Sequence, residues 1–190
     1  MIRRPPRSTQ GVSSAASDVY KRQLLQFFLT NFMQKRLQKL LEQAYDLCED
    51  ENYVNALEYY NLVLDIEPDN LKALIDKGVT LQNLGRFNTA LRMYEKALSI
   101  EAENLDALIN KGSVLHILKR YSEAIFCYDT VLNCDKRNTI ALAYKGLSIG
   151  EMGDISSAIK YFKKSLCIDL DYDLPQISLL TAKNILKKLD

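Results

Sequence analysis

Residues 71–104 read LKALIDKGVTLQNLGRFNTALRMYEKALSIEAEN, and residues 105–138 read LDALINKGSVLHILKRYSEAIFCYDTVLNCDKRN. The Lys-Gly pair at 77–78 returns at 111–112 and again at 145–146, a step of 34 residues each time. The same step backwards lands on Gln43-Ala44. A fixed period of this length marks a stacked repeat architecture. Working outward from the two central segments gives four units: 37–70, 71–104, 105–138 and 139–172.

Particular places in the unit carry particular kinds of side chain. The eighth holds Ala44, Gly78, Gly112 and Gly146, always small. The twentieth holds Ala56, Ala90, Ala124 and Ala158. The seventeenth holds Tyr53, Phe87, Tyr121 and Ile155, and the twenty-fourth Tyr60, Tyr94, Tyr128 and Phe162. Apolar residues recur at three- and four-residue steps, so each unit reads as two amphipathic helices, over about places 1–14 and 18–31. Small residues at places eight and twenty would let the paired helices approach closely. The aromatics are expected to fill the space between one pair and the next. Gly85 and Gly153 suit the left-handed residue that ends a helix. Asn70, Asn104 and Asn138 suit the cap that begins one.

With these residues set out, the chain resembles the tetratricopeptide repeat family over residues 37–172. The resemblance implies an all-α fold: a right-handed superhelical solenoid of four helix-turn-helix units. Some places depart from the family pattern. Glu51 and Lys119 stand where the inter-helix glycine is usual, at a cost of about 1 kcal/mol each if the residue is left-handed. Only Pro68 keeps the proline of place thirty-two, and Leu40, Leu74, Leu108 and Leu142 stand in place of the family's tryptophan. None of these changes breaks the packing pattern.

The flanks differ from the repeats. Residues 173–190 begin with Asp173 and Pro175, a helix-start signal, and carry one stripe of Leu179, Ala182, Leu186 and Leu189. Such a helix would cap the apolar end of the last repeat. At the other end, residues 1–23 share no periodicity with the rest and are expected to be disordered. Their segments MIRRPPRST and SSAASDVYKRQ resemble an in-frame translation of a transposon-type sequencing adapter, and so are set apart from fold reasoning. Leu24–Phe32, with the residues to 36, reads as a translated leader or a helix extension. Met33 is then the expected natural start; the alternative is a gene truncated upstream.

Composition narrows the chemistry. The whole chain has 25 basic and 24 acidic residues, 47% hydrophobic residues and 26% charged ones, a globular balance. Without Arg3, Arg4, Arg7, Lys21, Arg22 and Asp18, residues 24–190 keep 20 basic and 23 acidic side chains, a net of −3. That balance argues against nucleic-acid binding by bulk charge. No apolar run reaches the length of a membrane span. Cys48, Cys127, Cys134 and Cys167 form no CxxC pair and lack zinc spacing. They read as free thiols packed as small apolar groups in a reducing compartment, which points to the cytoplasm. His116 is the only histidine, without a nucleophile or acid at motif spacing. No HExxH, GxSxG or phosphate-loop motif is present, so neither enzyme activity, a metal nor a cofactor is expected.

The family resemblance implies instead a concave groove lined by the first helix of each repeat, with places 2, 5, 9, 12 and 13 directed inward. Place five gives Leu41, Ile75, Ile109 and Ala143; place nine gives Tyr45, Val79, Ser113 and Leu147. Places twelve and thirteen add Gln82, Asn83, His116 and Ile117. One subset of the family clamps acidic chaperone tails with Lys and Asn at places five and nine. Leu41 and Tyr45 stand there in the first repeat, so no carboxylate clamp is expected. A mainly apolar groove suits an amphipathic helix or an extended peptide with apolar anchors. The expected function is a non-catalytic protein-protein interaction adaptor. The alternatives are a self-associating, homo-oligomeric scaffold and the repeat domain of a larger protein.

Overall fold

The computed structural model describes residues 10–189. Among them the chain forms α1 (Gln10–Glu49), α2 (Tyr53–Ile66), α3 (Leu71–Asn83), α4 (Phe87–Ile100), α5 (Leu105–Ile117), α6 (Tyr121–Cys134), α7 (Thr139–Glu151), α8 (Ile155–Leu166) and α9 (Asp173–Leu189), and no strand. The helices pair as neighbours: the C-terminal end of α1 with α2, then α3 with α4, α5 with α6, and α7 with α8. Each pair packs on the next, giving an all-α helical solenoid.

Local sequence starts and stops each helix. The side chains of Asn70, Asn104 and Asn138 accept hydrogen bonds from the backbone N–H of Ala73, Ala107 and Ala141 at 2.9, 3.0 and 2.9 Å. Those bonds satisfy amides that a helix leaves without an internal partner. The first helix of each pair ends on a residue of positive φ: Glu51 at 57°, Gly85 at 70°, Lys119 at 60° and Gly153 at 95°. Two of these four are the non-glycine departures from the family pattern, and both adopt the left-handed conformation regardless.

The decisive packing lies inside each pair. Tyr94, Tyr128 and Phe162 lie against Gly78, Gly112 and Gly146 of their own repeat. A methyl group built on Gly112 would stand 2.5 Å from Tyr128 Cε1, and one on Gly146 would stand 2.7 Å from Phe162 Cε1. Tyr60 and Ala44 share the first core cluster in the same way. The sequence reading set these aromatics between successive pairs. The structure shows both contacts: the rings of Tyr94, Tyr128 and Phe162 are seated on the glycine of their own pair, and Tyr128 also stacks on Tyr144 of the next repeat at 6.1 Å.

Between pairs, a second regularity appears. Lys77 Nζ donates to Asn61 Oδ1 at 2.6 Å, Lys111 pairs with Glu95 at 3.3 Å, and Lys145 pairs with Asp129. In each case place seven of one repeat reaches place twenty-five of the repeat before. An exposed contact of this kind contributes only ~0–1 kcal/mol, and Lys145, the most buried of the three lysines, makes the most enclosed one.

The first helices of successive pairs also touch: α3 meets α5, α5 meets α7, and α7 meets α9. No comparable contact links α2, α4, α6 and α8 among the described residues. The stack therefore curves, with α3, α5 and α7 inside and the second helices splayed apart outside.

At the C-terminus, α9 covers the end of the stack. Pro175 and Ala182 are buried, and Leu179 packs against the cluster of Ala158 and Phe162. Leu186 is half-buried. At the N-terminus the structure differs from the sequence reading. Residues 1–9 lie outside the described residues, but 10–23 continue α1 as helix, where disorder is expected from the sequence. Once the packed end of α1 is nucleated, each further residue adds a backbone hydrogen bond at little cost. This extension is unsupported: residues 18–32 are all exposed, with Phe28 and Phe32 each 65% accessible. The first anchors are Gln34, bonded to Glu67 at 3.2 Å, and the buried Leu37. Thermal melts of the full chain and of residues 33–190 are expected to agree within error. A loss of several degrees on removing residues 1–32 would show that the extension packs.

Candidate functional site

The inner face is built from α3, α5 and α7, flanked by the C-terminal end of α1 and by α9. Not every residue the repeat pattern directs inward reaches it. Leu41 is 8% exposed and belongs to the first core cluster with Ala44 and Tyr60, so it is unavailable to a partner. Ala143 is fully buried. Ile75 and Ile109 are half-buried and pack on the central core. Place five is thus a packing position between repeats rather than a groove position. The cause is curvature, which presses the inner helices together at that level.

Places nine and thirteen do reach the surface. Tyr45 is 56% exposed and Ile117 44%, Asn83 is exposed, and Val79, Ser113 and Leu147 are half-buried. Tyr45, Val79 and Asn83 line a hollow of about 280 Å3 between the first two repeats. Leu147 lines a second hollow of about 200 Å3, walled by Ile177 and Ile185 of α9. The sequence reading used α9 only as a cap; it also extends the inner face by one helix.

Place twelve carries a polar ladder. Cys48 Sγ lies 3.9 Å from Tyr60 Oη and 3.3 Å from Thr80 Oγ1. Gln82 accepts from Tyr94 Oη at 3.3 Å and reaches Ser113 Oγ at 3.5 Å. His116 Nδ1 lies 2.9 Å from Ser148 Oγ, and its ring stands edge-on to Tyr121. Gln82 and His116 therefore link neighbouring repeats as much as they face the groove. Burial lowers the His116 pKa below 6.5, with Glu151 opposing the shift. Tyr128 Oη is buried with no partner among the described residues, whereas Tyr94 Oη one repeat earlier donates to Gln82.

Carboxylates stand at both hollows: Glu49 and Asp76 line the first and Glu151 the second. Burial raises the Asp76 pKa, with Lys72 opposing the shift and Asp106 adding to it. Glu49 raises the Tyr45 phenol pKa by charge and hydrogen bonding. Among the described residues no group of three or more His, Cys, Asp or Glu side chains is placed to hold a metal ion. No helix among them is long and apolar enough to cross a membrane. Cys127 is buried and Cys48 half-buried, but Cys134 and Cys167 are exposed, which corrects the reading of all four as packed thiols.

A family model described as tetratricopeptide repeat matches residues 71–104 and 105–138. Tetratricopeptide repeats are present in this chain. Solved structures share the arrangement. MamA protein aligns with a TM-score of 0.68 at 20% identity, over 78% of this chain and 81% of its own. MamA from Desulfovibrio magneticus RS-1 gives 0.66 at 19%, over 80% and 92%. YrrB, described as a TPR protein with an unusual peptide-binding site, gives 0.63 at 20%, over 78% and 76%. At these identities the likeness establishes the tetratricopeptide-type fold. No curated protein sequence matches the chain.

The orphaned hydroxyl gives a direct check on the ladder. Tyr128→Phe is expected to leave stability unchanged or raise it by up to about 1 kcal/mol, since an unpaired buried polar group is costly. Tyr94→Phe removes a bonded hydroxyl and is expected to cost about 0.5–1.5 kcal/mol. Denaturant melts of both variants test this; equal losses would mean that the two hydroxyls are equally partnered.

Proposed function

We propose that this chain is a non-catalytic interaction adaptor that holds a peptide or helix along its inner face. The observation that carries the reading is the row of accessible side chains at places nine and thirteen: Tyr45, Val79, Asn83, Ser113, Ile117 and Leu147. Apolar anchors can seat in the two hollows at its ends, and Gln82, His116 and Ser113 offer hydrogen bonds between them. Glu49 and Asp76 line the first hollow and Glu151 the second, so the partner is apolar-anchored with basic flanks rather than acidic. This charge supports the absence of a carboxylate clamp and speaks against nucleic acid. The peptide-binding description of the YrrB structure supports the same use of the fold. Four unpaired cysteines support a reducing compartment, and the cytoplasm is the proposed location.

A displayed library of random peptides, selected on the full chain, tests the reading. Binders are expected to pair apolar anchors with Lys or Arg. Val79→Asp with Ile117→Asp is expected to weaken them by about tenfold or more, as desolvated anchors are lost. Circular dichroism should show unchanged helicity, because neither side chain is fully buried. Undiminished binding by that variant would move the interaction off the inner face. A second reading, self-association, is favoured by the exposed Leu170, Ile177 and Leu180 near the C-terminal end, 74%, 65% and 62% accessible. Light scattering on the eluting protein separates the two, since a monomer excludes the second.

A further inference from the structure

Curvature that closes the inner face opens the outer one. Between α6 and α8, over the floor made by α7, lies a cleft of about 600 Å3, within the size range of small-ligand sites. Its walls bring together Lys136, Lys145, Lys163 and Lys164 with one carboxylate, Asp129. Lys145 is only 9% exposed, ion-paired with Asp129, and lies 4.6 Å over the Tyr161 ring. Lys164 approaches the same ring at 5.4 Å. Burial opposes the Lys145 charge, but its bonds to Asp129 and Tyr161 outweigh burial and hold its pKa above the usual lysine value.

The repeats supply their own control. One step earlier, the places of Lys136, Tyr161, Lys163 and Lys164 hold Ala102, Cys127, Asp129 and Thr130. There, the pair of the same register is Lys111–Glu95, and the place of Lys163 is held by an acid, Asp129. The charge is therefore not a by-product of the repeat pattern. Four ammonium groups and one carboxylate give the cleft a net +3, while residues 24–190 together carry −3. Asp129 is engaged by Lys145, which leaves Lys136, Lys163 and Lys164 without an acid in the cleft.

We propose that this outer cleft binds a phosphoryl-bearing anion, held by Lys136, Lys163 and Lys164 above the Lys145–Tyr161 base. A phosphoryl group brings close to two negative charges and three acceptor oxygens, which suits several converging ammonium groups better than a single carboxylate does. The site is on the opposite face from the peptide groove, so its fate is independent of that reading.

Inorganic pyrophosphate titrated into the full chain by calorimetry, in phosphate-free buffer of low ionic strength, is the test. Saturable 1:1 binding is expected. Lys163→Gln with Lys164→Gln, both exposed and so compatible with folding, should weaken it about tenfold or more. Lys35→Gln with Lys39→Gln on α1 removes the same charge far from the cleft and should leave affinity within about twofold, as screening limits distant charges. No saturable binding, equal weakening by the two double variants, or no weakening by the first would overturn the proposal. Vesicles of phosphatidylcholine, with and without phosphatidic acid, identify the source of the group. Co-sedimentation that depends on phosphatidic acid and on Lys163 and Lys164 supports a lipid headgroup in the site, and pyrophosphate binding without co-sedimentation supports a soluble phosphoryl ligand.

Discussion

A ring lying on a residue with no side chain sets the geometry of this protein. Gly78, Gly112 and Gly146 leave slots that Tyr94, Tyr128 and Phe162 fill, with less space than a methyl group would need. Close packing at one level brings the two helices of a pair together at a fixed distance. Once each pair has one shape, identical pairs can only stack with a constant rotation, and curvature follows. The lysines of place seven hold that rotation by reaching back to place twenty-five of the preceding repeat.

Curvature then divides the surface into two chemistries. Inside, neighbouring first helices touch, so place five is drawn into the packing between repeats and places nine and thirteen stay accessible. Outside, the second helices separate, and a cleft lies between α6 and α8. Its lysines are specific to this step, because α8 carries Tyr161, Lys163 and Lys164 where α6 carries Cys127, Asp129 and Thr130. Repeat architecture thus conserves the frame and frees the surfaces.

Much of the frame is legible from period alone, because it rests on local signals. The asparagine caps, the left-handed turn residues and the small residues at place eight each act within a few positions of the chain. The seating of the aromatics on their own glycines was not legible, since spacing shows that two residues share a unit but not which gap a ring enters. Accessibility was legible only in part: Tyr45, Asn83 and Ile117 are exposed and Val79 is half-buried, while Leu41 is buried, because periodicity gives the side of a helix and not how near the next helix comes. Lys163 and Lys164 read as a solvated run in the sequence. Only the fold brings them opposite Lys145 of α7 and Lys136 of the turn that ends the preceding repeat. The helical extension through residues 10–23 was also missed, since composition without periodicity says little about an unpacked helix propagated from a packed one.

The dependence of the fold on the ring-over-glycine contact is measured most directly by a double-mutant cycle on Gly112 and Tyr128. Denaturant melts of Gly112→Ala, Tyr128→Leu and the combination provide it. With Tyr128 present, the added methyl should cost about 1–3 kcal/mol through overpacking. With Leu at 128 the cost should vanish, or become a gain of up to about 1 kcal/mol from helix propensity. The account therefore predicts a coupling of about 1 kcal/mol or more, and additivity within about 0.5 kcal/mol would contradict it.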